Sequence, residues 1–498
     1  MALPPVSSLA FGLLALLLVV KKLALFIHNR KFASQHGCQP ASSERNKDPI
    51  LGFDRVRAML KASKEHRFLD YSHNRFMQNG FTYEAFMLTR RVIHTADPKN
   101  LQVILATNAK DYSIGKRRMN SFRPLLGHGI FAADGKQWEK SRALLRPSFT
   151  RDNIADLDIF ERHVANLVNC VPADGATVDL QDLFFRMTID SATQFLFGHS
   201  VATLRSDSPA EAYQFSKNYH EAQDGMIRNA RLGLLIHLHP AYKRSFNRAV
   251  AGSRGYVQQF VKQALRSRAS QTKDDKLPDC FLSQLAELTT DETEITDQLL
   301  NVLLAGRDTT AGLLSIQFHI LARRPDVWAK LKAEVATLEG RRPTFNELRD
   351  LKYVSATVNE TLRLYPIIPR NVRTAIKDTV LPTGGGPDGT SPVFVAKGQN
   401  IGFDVFTLHR RHDIYGPDAE EFKPDRWENL RPGWAYLPFG GGPRKCIGQQ
   451  FALIQAAYTT TRLVQQFERI ESRDSRPLQE LLTVTCASRY GTQAALFR

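Results

Sequence analysis

One cysteine of this 498-residue chain lies in a glycine-rich, basic segment where its thiolate could ligate a metal. Residues 439–448 read Phe-Gly-Gly-Gly-Pro-Arg-Lys-Cys-Ile-Gly, so that Cys446 directly follows an arginine and a lysine. We expect a helix to begin near Gln449, and its N-terminus and the N–H groups of the turn would stabilise a negative charge on the sulfur. Such a thiolate can serve as the axial ligand of a haem iron, where it favours O–O bond cleavage.

The other residues of this segment suit the same chemistry. Gly442 and Gly448 permit backbone angles and close approaches that a Cβ atom would block. Phe439 can cover the sulfur and restrict the access of water, which tunes the potential of a bound iron. Arg444 can pair with a haem propionate. A lone cysteine beside a glycine turn is more often an inert core residue, so it is the complete pattern that favours a ligand.

The pattern Phe-x-x-Gly-x-Arg-x-Cys-x-Gly resembles the signature of the cytochrome P-450 monooxygenases, which are haem-thiolate enzymes. The resemblance implies a mainly α-helical fold with a smaller β-rich portion, and one monooxygenase domain over residues 51–498. It implies haem b as the cofactor, with Cys446 as the axial ligand of its iron. It also implies that one atom of O2 enters a small hydrophobic substrate. The electrons would come from NADPH–cytochrome P-450 reductase, a separate protein, with cytochrome b5 as an optional second donor.

The segment Ala-Gly-Arg-Asp-Thr-Thr at residues 305–310 lies in a stretch that is apolar on almost every side, which is typical of a buried helix. Glycine inside a helix costs about 1 kcal/mol, and such a small pair can simply serve a helix–helix contact. With the Asp-Thr pair that follows, the segment resembles the oxygen-binding groove of the family. The resemblance implies that Ala305 and Gly306 make room for dioxygen. Thr309 would then hydrogen-bond it, and Asp308 would supply protons through water.

Two further segments carry charges that suit a structural role. Glu360 and Arg363 share one face of a predicted helix, a spacing that is also common in solvated surface pairs. Arg426 follows later in a Pro-Asp-Arg-Trp segment. The resemblance implies that these three residues form a network that holds the coil that presents Cys446.

Further residues are candidates for binding the haem propionates. Trp138 and Arg142 lie four residues apart, so both side chains could reach the same propionate from one helix. The alternative is a stacked surface pair. Arg373 is a further candidate, which the resemblance alone implies.

The N-terminal segment is long enough to form a membrane anchor. Residues 7–27 are apolar except for a few positions that include Lys21 and Lys22, and about 20 apolar residues span a bilayer. The lysines could reach the interface, and the positive charge that follows the segment predicts a cytoplasmic body. We therefore expect an anchor at residues 1–30 that crosses the endoplasmic reticulum membrane once, and a linker at residues 31–50. A cleaved signal peptide is the alternative, although no positive charge precedes the apolar run.

Composition and charge restrict the classes to which the chain could belong. A hydrophobic fraction of 43% is typical of a globular protein with a sizeable core. The five cysteines are widely spaced and favour neither a disulfide framework nor a zinc site. The net charge of +17 favours anionic partners, namely membrane lipid or an acidic electron-transfer protein, or it is only a solvated surface. No nucleic-acid-binding module is recognisable, so we expect no nucleic-acid partner.

Hydrophobic periodicity predicts a chain that is mostly helical after residue 98. The predicted helices lie near residues 98–109, 136–146, 152–170, 177–198, 210–224, 290–322, 325–338, 351–364 and 449–467. Strands are predicted at 81–88 and 91–94, a β-hairpin with glycine turns at 379–403, a surface loop at 268–279 and irregular coil at 410–438. The helix at 290–322 would cross the core, with Thr290 or Asp291 as its N-cap.

Several segments resemble one branch of the family, the fungal hydroxylases that act on n-alkanes and on the chain ends of fatty acids. These segments are 37–40, 381–389, 433–438 and 448–452. The resemblance implies hydroxylation of a long-chain fatty acid or alkane. By the same resemblance, we expect substrate contacts in 113–130, 225–245, 304–305, 367–369 and 482–484.

Other functions stay open. The same branch contains enzymes that tailor polyketide or terpenoid intermediates in fungal secondary metabolism. A haem-thiolate isomerase or dehydratase that does not use O2 is a more distant alternative, and so is a haem sensor without turnover. The pair Asp308-Thr309 disfavours both of these, because neither needs a proton relay.

Overall fold

The computed structural model describes residues 5–44, 46–48, 51–88, 90–150, 156–172, 174–233, 239–270 and 280–498. The α-helices of these residues are, in chain order, α1 (Pro5–Gln35), α2 (Phe53–Lys64), α3 (Phe68–Asn79), α4 (Pro98–Gln102), α5 (Lys116–Leu126), α6 (Gly135–Leu145), α7 (Asp158–Cys170), α8 (Leu180–Phe197), α9 (Ala210–Leu232), α10 (Pro240–Ser270), α11 (Phe281–Leu288), α12 (Glu292–Leu321), α13 (Pro325–Val335), α14 (Phe345–Asp350), α15 (Lys352–Leu364), α16 (Val405–Leu408), α17 (His412–Tyr415) and α18 (Gln449–Gln466). The strands are β1 (Ser42–Ser43), β2 (Thr82–Met87), β3 (Arg90–Thr95), β4 (Tyr112–Ser113), β5 (Val178–Asp179), β6 (Arg370–Ala375), β7 (Thr379–Gly385), β8 (Ser391–Val395), β9 (Asn400–Asp404), β10 (Arg469–Ser472), β11 (Glu480–Leu482), β12 (Cys486–Ser488) and β13 (Gln493–Phe497). Helical residues far outnumber strand residues, which confirms the predicted fold class.

Helix α12 crosses the core, because apolar side chains cover almost its whole circumference. Residues 299–304 are buried, and so are most of residues 310–321. Asp291 caps the N-terminus: its carboxylate accepts hydrogen bonds from the backbone N–H groups of Thr293 at 2.9 Å and Glu294 at 3.1 Å. Of the two predicted N-caps, the structure uses Asp291.

In the described part of the chain, two helical cores meet on α12. One joins its second half to α7, α8, α13, α15 and α18. The other joins its first half to α5, α8, α9, α10 and α11. Residues 305–310 of α12 belong to neither core and separate the two. The segment that the sequence marked as chemically interesting therefore lies where the apolar packing is interrupted.

A third core lies under a sheet whose described strands have the order β1-β2-β3-β9-β6-β4. The strands β2 and β3 confirm those predicted at 81–88 and 91–94. β9 is parallel to β3, with Ile401 opposite Ile93, and antiparallel to β6, with Ile401 opposite Arg373. This pairing places β6, which carries a predicted haem-binding residue, between β9 and the short strand β4.

The predicted elements occur close to their expected positions, with some differences. The helix predicted at 98–109 is shorter in the structure: α4 ends at Gln102, and a π-turn, Val103–Thr107, follows it. Of the hairpin predicted at 379–403, β7 and β8 pair with each other, but β9 belongs to the larger sheet. Helix α10 continues into the predicted loop 268–279, whose last nine residues lie outside the described residues. Residues 152–155 of the helix predicted at 152–170 lie outside them as well.

Among the described residues, one helical segment, Gly12–Gln35, is long and apolar enough to cross a membrane. Helix α1 extends to Gln35 and so enters the segment 31–50 that was predicted as a linker. At its C-terminal end the ring of Phe32 lies 5.3 Å from that of Phe394 on β8, so the helix contacts the body of the protein there.

The glycine loop between β7 and β8 receives the chain that follows α1. The N–H of Gln39 donates to the carbonyl oxygen of Pro392 at 2.8 Å, and that of Gly386 to the carbonyl oxygen of Pro40 at 3.0 Å. A Cβ atom on Gly385 would lie 2.6 Å from the oxygen of Gln39. The glycines therefore allow two backbones to approach each other closely.

Candidate active site

A cavity of about 310 Å³ lies beside residues 305–310, where the two helical cores separate. Most of the surface that lines it is apolar. Among the lining residues are Ile114, Arg118, Phe122, Ile130 and Phe131 from the segment after β4, Leu304, Ala305, Gly306 and Thr309 from α12, Ile367, Ile368, Asn371 and Arg373 from β6 and the residues before it, and Phe439, Arg444 and Cys446 from the cysteine turn. The α12 segment and the cysteine turn, which are distant in the sequence, thus face the same cavity.

Cys446 faces this cavity. Its side chain is accessible, and it lines the cavity. Its backbone N–H donates to the carbonyl oxygen of Phe439 at 3.0 Å, which closes the turn. Burial raises the pKa of the thiol, although the backbone N–H of Gly448 and the charges of Arg142 and Lys445 lower it. A bound metal cation would favour the thiolate over the thiol.

The cysteine turn packs against the π-turn that follows α4. Gly442 has a φ of +65°, and a Cβ atom on it would lie 1.8 Å from the carbonyl oxygen of Leu105, so only glycine permits this approach. Gly448 has a φ of −91°, and a Cβ atom there would lie 3.5 Å from the ring of Phe149, an ordinary contact. Gly442 therefore requires glycine, as predicted, whereas neither the backbone angle nor a contact with another protein atom requires glycine at 448.

A buried ion-pair network connects α15 to the coil that precedes the cysteine turn. Both carboxylate oxygens of Glu360 accept hydrogen bonds from Arg363 at 2.9 Å. Nε of Arg426 lies 3.3 Å from Oε1 of Glu360, and Nε1 of Trp427 donates to Oε2 at 3.0 Å. The remaining N–H groups of Arg363 donate to the carbonyl oxygens of His409, Ala419 and Glu421. The three residues named from the sequence are thus in contact.

Three guanidinium groups lie together on the cavity wall. Arg118, Arg373 and Arg444 all line the cavity, and Nη2 of Arg444 lies 2.5 Å from Oδ1 of Asp134. Burial, together with the charges of the other two arginines, lowers the pKa of Arg373 to about 9. Burial and Arg444 lower the pKa of Arg118 to about 10. Asp134 raises the pKa of all three arginines, but it is a single carboxylate facing three guanidinium groups. This wall therefore carries net positive charge and would stabilise an anionic group.

Trp138 lies beside two arginines. The guanidinium carbon of Arg444 is 4.4 Å from the centre of its ring, and that of Arg142 is 5.9 Å away. Nη1 of Arg142 donates to the carbonyl oxygen of Lys445 at 3.0 Å, next to Cys446. Trp138 and Arg142 both line the cavity. The structure therefore brings the residues named from the sequence as propionate ligands to one wall of one cavity.

The adjacent residues Asp308 and Thr309 lie in two different environments. Thr309 lines the cavity, and its hydroxyl donates to the carbonyl oxygen of Ala305 at 2.6 Å. The carboxylate of Asp308 lies outside the cavity lining and accepts from Nη1 of Arg307 at 2.7 Å and from Nε2 of Gln223 at 2.8 Å. Burial raises the pKa of Asp308, and the charge of Arg307 lowers it. Of the predicted catalytic pair, only Thr309 meets the cavity.

Comparison with known proteins now identifies the family. The family model described as Cytochrome P-450 matches residues 55–489. The chain belongs to the cytochrome P-450 family. It is 47% identical over 470 residues to cytochrome P-450 monooxygenase himC of Aspergillus japonicus, which covers 92% of this chain and 84% of that protein. It is 40% identical over 500 residues to cytochrome P-450 monooxygenase fsdH of Fusarium heterosporum, covering 96% and 86%. It is also 39% identical over 487 residues to cytochrome P-450 52A13 of Debaryomyces hansenii, covering 94% and 93%.

Membership in the cytochrome P-450 family confirms the predicted enzyme class and cofactor: the protein is a monooxygenase that binds haem through a cysteine thiolate. Such an enzyme works with a redox partner, O2 and a hydrophobic substrate. The cavity fits the haem group in the chemistry of its donors. Cys446 is the one cysteine among the described residues that line it, and the net positive wall suits the two propionates.

Sequence reasoning missed some of the residues around this cytochrome P-450 cavity. Arg118 lies in a Lys-Arg-Arg run, which resembles an ordinary solvated surface, and only its neighbours in space distinguish it. Residues of α8 also line the cavity, namely Ala192, Phe195 and Leu196. Of the segments expected to contact substrate, 113–130, 304–305, 367–369 and 482–484 each contribute lining residues. The segment 225–245 contributes none among its described residues.

Proposed function

We propose that this protein hydroxylates a long-chain fatty acid or a similar alkane-like molecule at the membrane of the endoplasmic reticulum. One observation carries the proposal: Cys446 and the α12 residues Ala305, Gly306 and Thr309 line the same, mostly apolar cavity. The thiolate of Cys446 would be the axial ligand of the haem iron. The apolar lining would take up a hydrocarbon chain, because burial of each methylene group contributes about 0.8 kcal/mol.

The haem would be held by residues that the cavity wall already presents. Arg373 and Arg444 would bind its propionates, and Arg118 would join them. Trp138 and Arg142 would complete this side of the site, near Cys446. The residues of the turn predicted from the sequence, Phe439, Gly442 and Gly448, would shield the sulfur and shape its surroundings.

Bound haem supplies the chemistry that places one atom of O2 in the substrate and releases the other as water. The small residues Ala305 and Gly306 leave space beside the cavity, since even an added Cβ on Gly306 would have only Ala192 nearby, at 3.5 Å. The hydroxyl of Thr309 would turn its hydrogen from the Ala305 carbonyl group toward a ligand in this space. Asp308 would hold a proton away from the cavity, and water would carry it to the threonine.

The partners and the location follow from charge and from α1. The electrons would come from NADPH–cytochrome P-450 reductase, with cytochrome b5 as an optional second donor, and the net charge of +17 and the exposed Lys445 beside Cys446 suit an acidic surface. Helix α1 would cross the membrane once. The basic residues Arg30 and Lys31 near its end favour a cytoplasmic body.

A second candidate is the tailoring of a polyketide or terpenoid intermediate. The cavity lining includes polar side chains besides the arginines, such as Asn371 and Thr485. These groups could meet the oxygens of a partly oxidised substrate, whereas a plain hydrocarbon has no use for them.

The optical spectrum of the ferric protein separates these two functions. The purified enzyme is titrated with fatty acids and alkanes of twelve to eighteen carbons, and a saturable shift toward the high-spin form is the result expected of a hydrocarbon hydroxylase. Protein whose reduced carbon monoxide spectrum proves an intact thiolate, but which shows no shift with any member of the panel, would favour the tailoring function. A Cys446→Ala variant without that carbon monoxide spectrum would identify the ligand.

A further inference from the structure

Two buried polar side chains on α12 hold the turn that connects α5 to α6. This turn, residues 126–131, has backbone groups that no helix or strand satisfies. Oδ2 of Asp297 accepts from the N–H of His128 at 2.8 Å, and Oδ1 of Asn301 accepts from the N–H of Phe131 at 3.0 Å. Nδ2 of Asn301 donates to the carbonyl oxygen of Leu126 at 2.8 Å. The helix therefore supplies the hydrogen bonds that a neighbouring strand would otherwise provide.

The glycines of the turn let it lie directly on the helix. A Cβ atom on Gly127 would lie 2.0 Å from the carboxylate of Asp297, and one on Gly129 would lie 2.1 Å from the amide of Asn301. Gly127 also has a φ of +56°, in the left-handed region. Both glycines thus face the two polar side chains, and each pair leaves no room for a larger residue in the turn.

The two side chains are buried and fully engaged. Asp297 is 3% exposed and Asn301 is 0% exposed. The other oxygen of Asp297 accepts from Nη2 of Arg254, on α10, at 2.8 Å, and Nη1 of that arginine donates to the carbonyl oxygen of Leu125 at 3.1 Å. The second N–H of the Asn301 amide donates to the carbonyl oxygen of Asp297 at 2.7 Å. Satisfied buried networks of this kind hold one backbone position over others.

The turn carries apolar side chains into the cavity. Ile130 and Phe131 line it, and so do Asn301 and Leu304 on the helix that holds them. The hydrogen bond to the N–H of Phe131 therefore fixes one wall of the cavity relative to another. The polar atoms of the Asn301 side chain are all hydrogen-bonded to backbone groups. Asn301 would therefore affect a bound molecule by positioning the turn.

We propose that Asp297 and Asn301 are positioning residues: by holding the 126–131 turn against α12, they set the shape of the substrate cavity. They thereby decide which molecules enter it and which carbon is oxidised. The inference rests on the proposed function, in that it takes this cavity as the substrate site. It requires no knowledge of the substrate itself, because the shape of a cavity can be measured with ligands of graded length.

The test uses the full-length holoenzyme and two matched variants. Asn301→Ala removes the amide that holds the turn. Gln317→Ala removes another buried amide of α12, whose Nε2 donates to Thr460 at 2.8 Å and which is absent from the cavity lining. Both variants and the parent are titrated with imidazole and with 1-alkylimidazoles of increasing chain length, and binding is read from the haem spectrum.

We expect Asn301→Ala to bind imidazole within about twofold of the parent, and 1-dodecylimidazole about tenfold more weakly, since the loss of the buried hydrogen bonds to Phe131 and Leu126 has an effect of about this size. Gln317→Ala should keep the parent ratio between the two ligands. Equal changes for short and long ligands, no change, or the same change in both variants would overturn the proposal. If Asn301→Ala fails to retain haem, Asp297→Asn replaces it: the pair with Arg254, which also holds Leu125 beside the turn, is lost, and the same selective weakening of the long ligand is expected.

These outcomes separate the inference from the function on which it rests. A chain-length effect confined to Asn301→Ala supports the positioning role even if no fatty acid is ever oxidised. Conversely, an enzyme that hydroxylates fatty acids but whose ligand profile is indifferent to Asn301→Ala retains its proposed function and loses the inference. With an oxidised substrate in hand, a changed ratio of terminal to internal products in Asn301→Ala is the corresponding activity readout.

Discussion

At the scale of single residues, Asp308 and Thr309 show that adjacent residues of a helix can face different surroundings. Successive residues of an α-helix point about 100° apart. Thr309 therefore faces the cavity, while Asp308 faces Gln223 on α9 and pairs with Arg307. A proton that leaves Asp308 must pass around the helix, so Thr309 is the group of this pair that can act directly on a molecule in the cavity.

We predict that Thr309→Ala separates the consumption of NADPH from the formation of product. Without the hydroxyl, no side chain of the pair delivers a proton at the cavity, and proton delivery by a positioned group contributes at least about 100-fold to a rate. We expect the product formed per NADPH oxidised to fall by about tenfold or more, since part of the loss appears as wasted turnover. The measurement compares NADPH oxidation, hydrogen peroxide and product in one reconstituted assay.

Thr309→Ser provides the control, because it keeps a hydroxyl at the same place and should retain most of the coupling. The binding of substrate, read from the spectral shift, should change little in both variants. Full coupling in Thr309→Ala would contradict the role given to this residue.

At the scale of the elements, Arg363 joins α15 to the coil that leads to Cys446. Its five N–H groups are all engaged, two with Glu360 and three with carbonyl oxygens of that coil. We predict that Arg363→Lys yields protein with less than about a tenth of the normal haem content. A lysine has three donors in another geometry, and each buried carbonyl group that loses its donor costs about 1–3 kcal/mol. The ratio of haem to protein after purification measures this.

The same substitution at an exposed arginine shows whether the loss of haem depends on the burial of Arg363 or on the change from arginine to lysine alone. Arg341 forms an ion pair with Glu347 at 2.8 Å on the surface. Arg341→Lys should leave the haem content unchanged, since exposed pairs contribute little. Normal haem content in Arg363→Lys would show that the coil keeps its position without the network.

A second junction between elements depends on pH. Helix α3 begins where the carboxylate of Glu480, on β11, accepts from the N–H groups of Phe68 at 2.5 Å and Leu69 at 3.0 Å. Burial raises the pKa of Glu480 to about 7, from an ordinary value of 4.5, with the charge of Asp70 acting in the same direction. The folded protein therefore favours the protonated carboxyl group. Its contribution to stability is complete below about pH 4.5 and is lost as the pH rises through about 7.

We predict that Glu480→Gln removes this loss. The variant should resemble the parent near pH 5, because the amide oxygen can still accept from α3. At pH 8 its midpoint of thermal unfolding should be higher than that of the parent by about 1–2 °C. Unfolding followed by circular dichroism at pH 5, 6.5 and 8 measures the difference, with the exposed Glu287→Gln as the control. Parallel curves for the parent and Glu480→Gln at every pH would refute the assignment.

At the scale of the whole molecule, local sequence patterns predicted the helices but could not predict which distant strands pair with each other. The apolar circumference of α12 and the charge spacing of Glu360 and Arg363 are local, so they were visible in the sequence. The position of β9 between β3 and β6 depends on β3, whose Val92 pairs with Asn400, and no local period records such a distant pairing. Arg118 belongs to the same class, because its place beside Arg373 and Arg444 exists only after folding. The site motifs could be found because each keeps its spacing within one turn or helix.

The segment between α1 and α2 also belongs to this scale, because it attaches the helix that could cross a membrane to the body. β1 pairs with β2, with Ser42 opposite Tyr83. The carboxylate of Glu44 lies 2.8 Å from Nη2 of Arg55, and it also accepts from Nε of Arg75 at 2.9 Å. Arg55 is 5% exposed. Residues 42–44 are therefore part of the folded body, because a flexible linker would make no such contacts.

We predict that two truncations differ sharply. Removal of residues 1–35 deletes α1 but keeps β1 and Glu44, so the protein should leave the membrane fraction with normal haem content. Removal of residues 1–44 leaves the buried Arg55 without its carboxylate, and breaking a buried pair costs about 3–5 kcal/mol. This second protein should unfold at clearly lower denaturant concentration. Glu44→Gln in the shorter truncation separates the charge from the lost strand, and it should reproduce most of the destabilisation. Equal stability of all three proteins would mean that the folded body begins at α2 and that the contacts of residues 36–44 do not stabilise it.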